Sequence, residues 1–248
     1  CLARPKVPYI KVTEFDLHPG RMIGKKYRVL SKLGAGWEGE VYKVGEIHTG
    51  IERAAKLFFP QRNLRDRTSK IYAQKLHKLR QCSLLIQYHT QENIVFRKIP
   101  VTVLISEYVE GMLLSDFLNR LPGKKLDPFK ALHLLYRLAR GIEEIHLLRE
   151  YHGDLHTGNI IVNKFGLNFE LKLLDMYRLG AFRQENVKED VCGLIRLFYD
   201  TLGGPERYSK LPDVAKNICC GLKKNLILKK FKNIPQLREH IEMLDWPI

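Results

Sequence analysis

The spacing of apolar residues changes character once along this chain, and that change limits the folds open to it. Up to about Glu107 short alternating runs dominate; beyond Gly111 apolar residues return every third or fourth position. Alternation turns one face of a strand into a core and the longer spacing does so for a helix, so a sheet-rich part precedes a helical part. Strand patterns occupy 27–33, 40–46 and 52–59, with His48-Thr49-Gly50 as the turn between the last two. A helix is expected over 64–81, then strands at 94–97 and 101–107. Leu132, Leu135, Leu138, Ala139, Ile142 and Ile145 predict a helix over 131–148, for which Asp127-Pro128 is the start signal. Two short strands at 160–163 and 171–174, hinged near Gly166, precede helices at about 187–202, 212–224 and 234–244. The fold class is α+β. An extended leader over 1–26, carrying Pro5, Pro8, Pro19 and Gly20, leads to a sheet-rich part over 27–106, a connector at 107–110 and a helical part over 111–248.

Composition bounds the setting. The 248 residues, 45% of them hydrophobic, suffice for one large domain or two small lobes sharing a cleft. Five cysteines are an odd number without framework or Cys-x-x-Cys spacing, which fits a reducing cytoplasm better than a disulfide scaffold or a zinc site. The longest apolar runs, such as 101–105, are too short to span a bilayer, and the first ten residues lack a signal-peptide core. A soluble cytoplasmic protein is expected, with Cys1 read as a trimmed start in preference to the mature end of a lipoprotein. The formal charge of +15 is uneven: Arg62, Arg65, Arg67, Lys70, Lys75, Lys78 and Arg80 face the single acid Asp66, and Lys223, Lys224, Lys229, Lys230 and Lys232 form an acid-free cluster. Such patches make an acidic partner a candidate, with a solvated basic face as the plainer alternative, and no nucleic-acid motif accompanies them.

The chemistry lies in a few polar residues set in order. Asp154, in His152-Gly-Asp-Leu-His156-Thr-Gly-Asn159, is a carboxylate able to take a hydroxyl proton; Asn159 and Asp175 offer oxygen atoms to Mg²⁺; Lys56 is a cation for phosphates. Those are the parts that phosphoryl transfer needs. Gly34-Ala-Gly36-Trp-Glu-Gly39 lets backbone N–H groups approach phosphates with no Cβ in the way. Its place between two strands, not before a helix, argues against a dinucleotide site. Singly each element is weak, since loop Asp and Asn residues cap turns, strand lysines face solvent and ordinary turns produce the glycine spacing. Their joint order carries the inference.

From Tyr27 to the C-terminus this order resembles the protein kinase superfamily. Gly34-Ala-Gly36-Trp-Glu-Gly39-Glu-Val41 is similar to the kinase glycine loop, Ala54-Ala-Lys56 to the strand lysine motif, and His152-x-Asp154-x-x-x-x-Asn159 to the catalytic loop. The resemblance implies a bilobal kinase-like fold with an antiparallel-sheet N-lobe over 27–106, a hinge at 107–110 and a helical C-lobe over 111–248. It also implies ATP and Mg²⁺ as cofactors: Gly34, Gly36, Gly39 and Lys56 at the phosphates, Val41, Ala54 and Ile161 against the adenine, and the backbone of Glu107 to Val109 at its edge. Ser106 falls at the gatekeeper position, where a small residue leaves a roomy back pocket. Asp154 would be the catalytic base, Asn159 and Asp175 the metal ligands, and His156 a further catalytic-loop residue. Glu189-Asp190-Val-x-Gly193-Leu-Ile resembles the helix after the activation segment, with Asp190 holding the catalytic-loop backbone.

Departures from the family pattern sharpen the expectations. No Asp or Glu occurs from Arg67 to Gln91, so the helix lacks the glutamate that would pair with Lys56, leaving Gln74 as a stand-in and Asp66 too early. Asp175-Met176-Tyr177 replaces Asp-Phe-Gly, and Tyr177 lacks the backbone freedom of glycine, which implies a metal loop held in one state. Only twelve residues, Arg178 to Glu189, separate Tyr177 from Asp190, without Ser or Thr, so the activation segment is short and control by its phosphorylation is not expected. Gly153 replaces the arginine that would bind a phosphorylated loop. His156 stands where protein Ser/Thr kinases carry Lys, and His-Gly-Asp-Leu-His resembles the aminoglycoside phosphotransferase and ABC1 groups. The favoured expectation is a compact bacterial-type protein Ser/Thr kinase acting on a protein hydroxyl. A small-molecule kinase with a small hydroxyl substrate and a pseudokinase acting as a binding module are the alternatives.

Overall fold

Met22–Ile23 (β1), Tyr27–Ala35 (β2), Gly39–Glu46 (β3), Glu52–Phe58 (β4), Tyr88–Phe96 (β5) and Ile99–Glu107 (β6) pair antiparallel into one sheet, in the order β1-β2-β3-β4-β6-β5. The computed structural model describes residues 11–165, 168–176 and 180–245. These divide into two compact units: the described chain up to Ala73 with Gln87–Tyr108, and Gln74–Ile86 with the described chain from Val109 onward. The division falls within the helix α1, Arg67–Lys78.

In the first unit, strand alternation sorts side chains onto two faces. Tyr42 and Val44 of β3, Ala55 and Leu57 of β4, and Val103 and Ile105 of β6 enter the core. Val41, Ala54 and Lys56 therefore share the opposite face, where Val41 lies across from Lys56 and Ala54 across from Ser106.

The stretch expected as an extended leader over 1–26 contributes directly to this core. Val12, Phe15 and Leu17 are buried in it, and the Phe15 ring stacks on Phe59 at 5.3 Å and meets Phe96 edge-on at 5.1 Å. A buried carboxylate, Glu40, fastens the segment: it accepts the Phe15 and Asp16 N–H groups at 3.3 Å, the Lys32 ammonium at 2.8 Å and the Tyr42 hydroxyl, which in turn accepts the Leu17 N–H at 3.0 Å. Burial alone would push the Glu40 carboxyl up, but the bonds from Lys32 and Tyr42 outweigh it and hold it below the usual range. Burial and the Glu40 charge push the Tyr42 phenol up. The 12, 15, 17 spacing fits neither a helix nor a strand, which is why periodicity did not place these residues in a core.

The second unit carries β7 (Met112–Leu113), β8 (Ile160–Phe165) and β9 (Asn168–Leu173), a small sheet in the order β7-β8-β9, and the helices α2 (Leu114–Arg120), α3 (Pro128–Leu147), α4 (Gln184–Thr201), α5 (Asp213–Cys219), α6 (Lys224–Lys230) and α7 (Ile234–Glu242). Asp127 caps α3 as expected, its carboxylate accepting the Lys130 N–H at 3.0 Å. Leu135, Leu138, Ala139, Ile142 and Ile145 are fully buried along that helix. Gly111 opens β7 with φ +130°, and a Cβ there would come within 2.6 Å of the Val162 carbonyl oxygen, so only glycine fits. The helix expected over 212–224 stops at Cys219, because Cys220 and Gly221 take left-handed conformations with φ 50° and 59°, and α6 then starts separately. Among the described residues no helix is long and apolar enough to cross a membrane.

Candidate active site

The glycine loop is a tight reversal between β2 and β3. The Gly36 N–H donates to the Gly39 carbonyl at 2.9 Å, and the Phe59 N–H donates to the Glu38 carbonyl at 2.8 Å. A Cβ on Gly39 would sit 1.8 Å from the Leu57 carbonyl oxygen, so any side chain there would force β3 and β4 apart. At Gly34 and Gly36 a Cβ would meet nothing within 4 Å, which leaves that part of the loop open to an approaching group. The Arg62 guanidinium lies 3.6 Å from the centre of the exposed Trp37 ring, a cation–π contact at the tip of the loop.

Lys56 has a carboxylate partner, and it comes from this loop. The Glu38 Oε2 lies 2.9 Å from the Lys56 Nζ, with only 10% and 13% of the two side chains exposed. The helix lacks the usual counterion, as expected: α1 contains no Asp or Glu and presents the Tyr72 ring, whose centre is 5.0 Å from the Nζ, while the loop supplies the charge. Gln74, the expected stand-in, and Asp66, expected to lie too early, have other surroundings. Gln74 is exposed, and Asp66 bonds to Asn63 at 3.1 Å and to the Thr102 hydroxyl. The family pattern places the partner of this lysine on the helix and so gives no pointer to Glu38. An acid inside a candidate phosphate loop was itself the signal, since it would repel phosphate unless neutralised.

In the second unit a hydrogen-bonded loop holds the remaining chemistry. Asp190 of α4, 1% exposed, accepts the His152 N–H at 2.9 Å and the Gly153 N–H at 2.7 Å, and its Oδ2 lies 2.9 Å from the His146 Nε2. The His152 Nδ1 accepts the Asp154 N–H at 3.2 Å and its Nε2 lies 2.9 Å from the Leu174 carbonyl oxygen. A nitrogen that accepts from a backbone N–H carries no proton, so His152 is neutral with its proton on Nε2. Burial depresses its basicity to match, against the opposing pull of the Leu174 carbonyl. The Leu174 N–H donates to the Asn159 carbonyl at 2.8 Å, which ties the chain at Asp175 to the loop that carries Asp154.

Around Asp154 the polar groups leave it accessible. Its side chain is 54% exposed, and the His156 Nε2 is 3.7 Å from its Oδ2. The His156 Nδ1 accepts the Gly158 N–H at 3.1 Å, which turns the Nε2 edge of the ring toward Asp154. The Asn159 Nδ2 donates to the Asp154 carbonyl at 3.0 Å, so the amide oxygen is the atom that remains for a cation. Asp175, which follows the Leu174 bonded to the Asn159 carbonyl, has an unusual φ of +49°. An amide and a carboxylate oxygen form a sparse, hard donor set that suits Mg²⁺ completed by phosphate and water. A self-sufficient protein cage is absent among the described residues.

The expected residues thus fall into two sets. Gly34, Gly36, Gly39, Val41, Ala54, Lys56 and Glu107 lie in the first unit; Val109, Asp154, His156, Asn159, Ile161 and Asp175 lie in the second. Ser106, 9% exposed, is on the same β6 face as Leu104, the residue across from Lys56. Tyr177, Arg178, Leu179 and Gly166 lie outside the described residues, and with them the expectation of a fixed metal loop. One basic patch contracts: the Lys75 ammonium is buried, donating to the Tyr151 carbonyl at 2.7 Å with its basicity lowered by burial, and Lys78 pairs with Glu150 at 2.8 Å.

Comparison with known proteins gives the family. The family model for the protein kinase domain matches residues 27–196, more than half of the chain. The chain belongs to the protein kinase family. It is 28% identical over 186 residues to serine/threonine-protein kinase pkn2 of Myxococcus xanthus and 28% identical over 153 residues to serine/threonine-protein kinase 4 homolog A of Dictyostelium discoideum, covering 74% and 61% of this kinase chain. It spans only 21% and 30% of the lengths of those relatives. The crystal structure of the PknI kinase domain of Mycobacterium tuberculosis superposes with a TM-score of 0.67 at 17% identity, covering 91% of this chain and 98% of that one; a double mutant of the same domain gives 0.63. The expected α+β bilobal kinase fold is the fold found.

Proposed function

We propose that this kinase-family chain is a protein Ser/Thr kinase that transfers the γ-phosphoryl group of ATP, with Mg²⁺, to a protein hydroxyl. The observation that carries the proposal is the pinned catalytic loop. Asp190 and the neutral His152 ring hold the backbone leading into Asp154, and the Asn159 amide holds the Asp154 carbonyl, while the Asp154 carboxylate stays exposed. An exposed carboxylate on a rigid backbone is what a base needs to orient an incoming hydroxyl and take its proton. Backbone N–H groups of the Gly34–Gly39 loop and the Lys56 ammonium would bind phosphate oxygens, and Asn159 and Asp175 would hold Mg²⁺, which when bound neutralises charge on the phosphates. Val41, Ala54 and Ile161 would cover the adenine. The Glu38 partner of Lys56 supports activity over the pseudokinase alternative, because the lysine keeps a counterion without the helix glutamate.

His156, within ion-pair reach of Asp154, would steady that carboxylate and offer a donor to the transferred group. A cytoplasmic setting belongs to the same proposal, with Cys82, Cys192, Cys219 and Cys220 as free thiols. An acidic protein acceptor would meet the exposed Arg65, Arg67 and Lys70. Calorimetric titration with Mg-ATP tests the binding half. Wild type should bind, and Lys56→Met and Asp175→Asn should each weaken binding at least tenfold. No heat of binding at millimolar Mg-ATP would refute the assignment.

A further inference from the structure

We infer that Glu38, in the glycine loop, is the positioning residue for Lys56 and replaces a helix carboxylate, so that the sheet supplies the lysine's carboxylate. The inference rests on the proposal that Lys56 binds nucleotide phosphates, and it adds how that residue is held.

Three observations carry it. The Glu38 carboxylate is 2.9 Å from the Lys56 Nζ, and both side chains are largely buried, where an ion pair is screened little by water. Both residues are also built on one hairpin: the Glu38 carbonyl accepts the Phe59 N–H, and Gly39 packs so closely on the Leu57 carbonyl that the loop cannot slide along β4. Finally, α1 offers Lys56 the Tyr72 ring at 5.0 Å and carries no acid along its length. A carboxylate on a separate helix sets a lysine only when that helix is in place. Here the counterion sits immediately before β3, the strand paired with the one that bears the lysine, so the carboxylate partner does not depend on α1. Pairing also cancels the charge that Glu38 would otherwise set against phosphate.

The test uses the 248-residue chain and the variants Glu38→Gln, Glu38→Gln/Tyr72→Glu, Lys56→Met and Glu38→Gln/Lys56→Met. Glu38→Gln should raise the Mg-ATP Kd about tenfold, the scale of one lost charge-assisted hydrogen bond. In the Lys56→Met background the same change should add less than twofold, because its effect passes through the lysine. Tyr72→Glu, which puts a carboxylate on the helix beside the Nζ, should restore most of the loss, which mere repair of loop structure would not do. A second readout needs no nucleotide: modification of Lys56 by an amine-selective reagent at fixed pH should speed up several-fold in Glu38→Gln and slow again in the Tyr72→Glu double variant, since an adjacent carboxylate favours the unreactive ammonium. Unchanged or tighter nucleotide binding in Glu38→Gln, or an equal loss in the Lys56→Met background, would overturn the inference. Wild type that binds no Mg-ATP would refute the proposed function, and an unchanged rate of Lys56 modification would then overturn the pairing separately.

Discussion

Asp190 offers the sharpest test of how the loop carrying Asp154 is held. Its carboxylate, 1% exposed, accepts two backbone N–H groups and touches the His146 ring, all at 2.7–2.9 Å. Asp190→Ala strands the His152 and Gly153 N–H groups and one imidazole in a buried place. Hydrogen bonds to a charged acceptor contribute about 1.5–3 kcal/mol each and do not add fully, so the loss should be about 3–5 kcal/mol. For a chain of this size that lowers Tm by about 10 °C. Asp190→Asn keeps one acceptor oxygen but turns an NH₂ group toward a backbone N–H, and should lose about 2 kcal/mol. Thermal melting followed by circular dichroism reads the global effect, and amide hydrogen exchange at His152 and Gly153 reads the local one. If Asp190→Ala melts within 2 °C of wild type with both amides still protected, the carboxylate is not what fixes the loop.

Four further outcomes are expected. Asp154→Asn should lower kcat by about 10² to 10⁴ with Mg-ATP affinity nearly unchanged, read by steady-state kinetics and calorimetry. Glu40→Ala should cost about 3–5 kcal/mol, because it leaves the Lys32 ammonium and the Phe15 and Asp16 N–H groups without their acceptor, and limited proteolysis should then cut within 11–21. Gly39→Ala should cost about 3 kcal/mol in a denaturation experiment, since the new methyl meets backbone and not a movable side chain. Burial lowers the basicity of His152 and His240, so both bind protons more readily when unfolded. Stability is full above the unfolded value of about 6.5 and falls as pH drops below it; a Tm that stays flat from pH 7.5 to 5 would contradict this.

The parts legible in the sequence were those where a local rule acts alone. Alternation marked β3 and β4, the Asp127-Pro128 signal and the buried leucines marked α3, and the spacing from His152 to Asn159 put Asp154, His156 and Asn159 in one loop. What escaped was set by long-range contact. Val12, Phe15 and Leu17 have no regular period, and their backbone N–H groups donate to Gln61, Glu40 and the Tyr42 hydroxyl, each more than twenty residues away. Lys75 reads as a surface charge, yet it is buried against Tyr151, 76 positions on. The family pattern puts the Lys56 counterion on the helix, whereas here the glycine loop supplies it.

The most direct test of the account is phosphoryl transfer itself, measured as the intact mass of generic Ser/Thr-containing protein acceptors after incubation with Mg-ATP and either wild type or Asp154→Asn. The account predicts acceptor mass increases of one or more phosphoryl groups with wild type, nearly abolished in Asp154→Asn, while both bind nucleotide. Nucleotide binding without any transfer, or transfer that Asp154→Asn leaves at the wild-type rate, would contradict it.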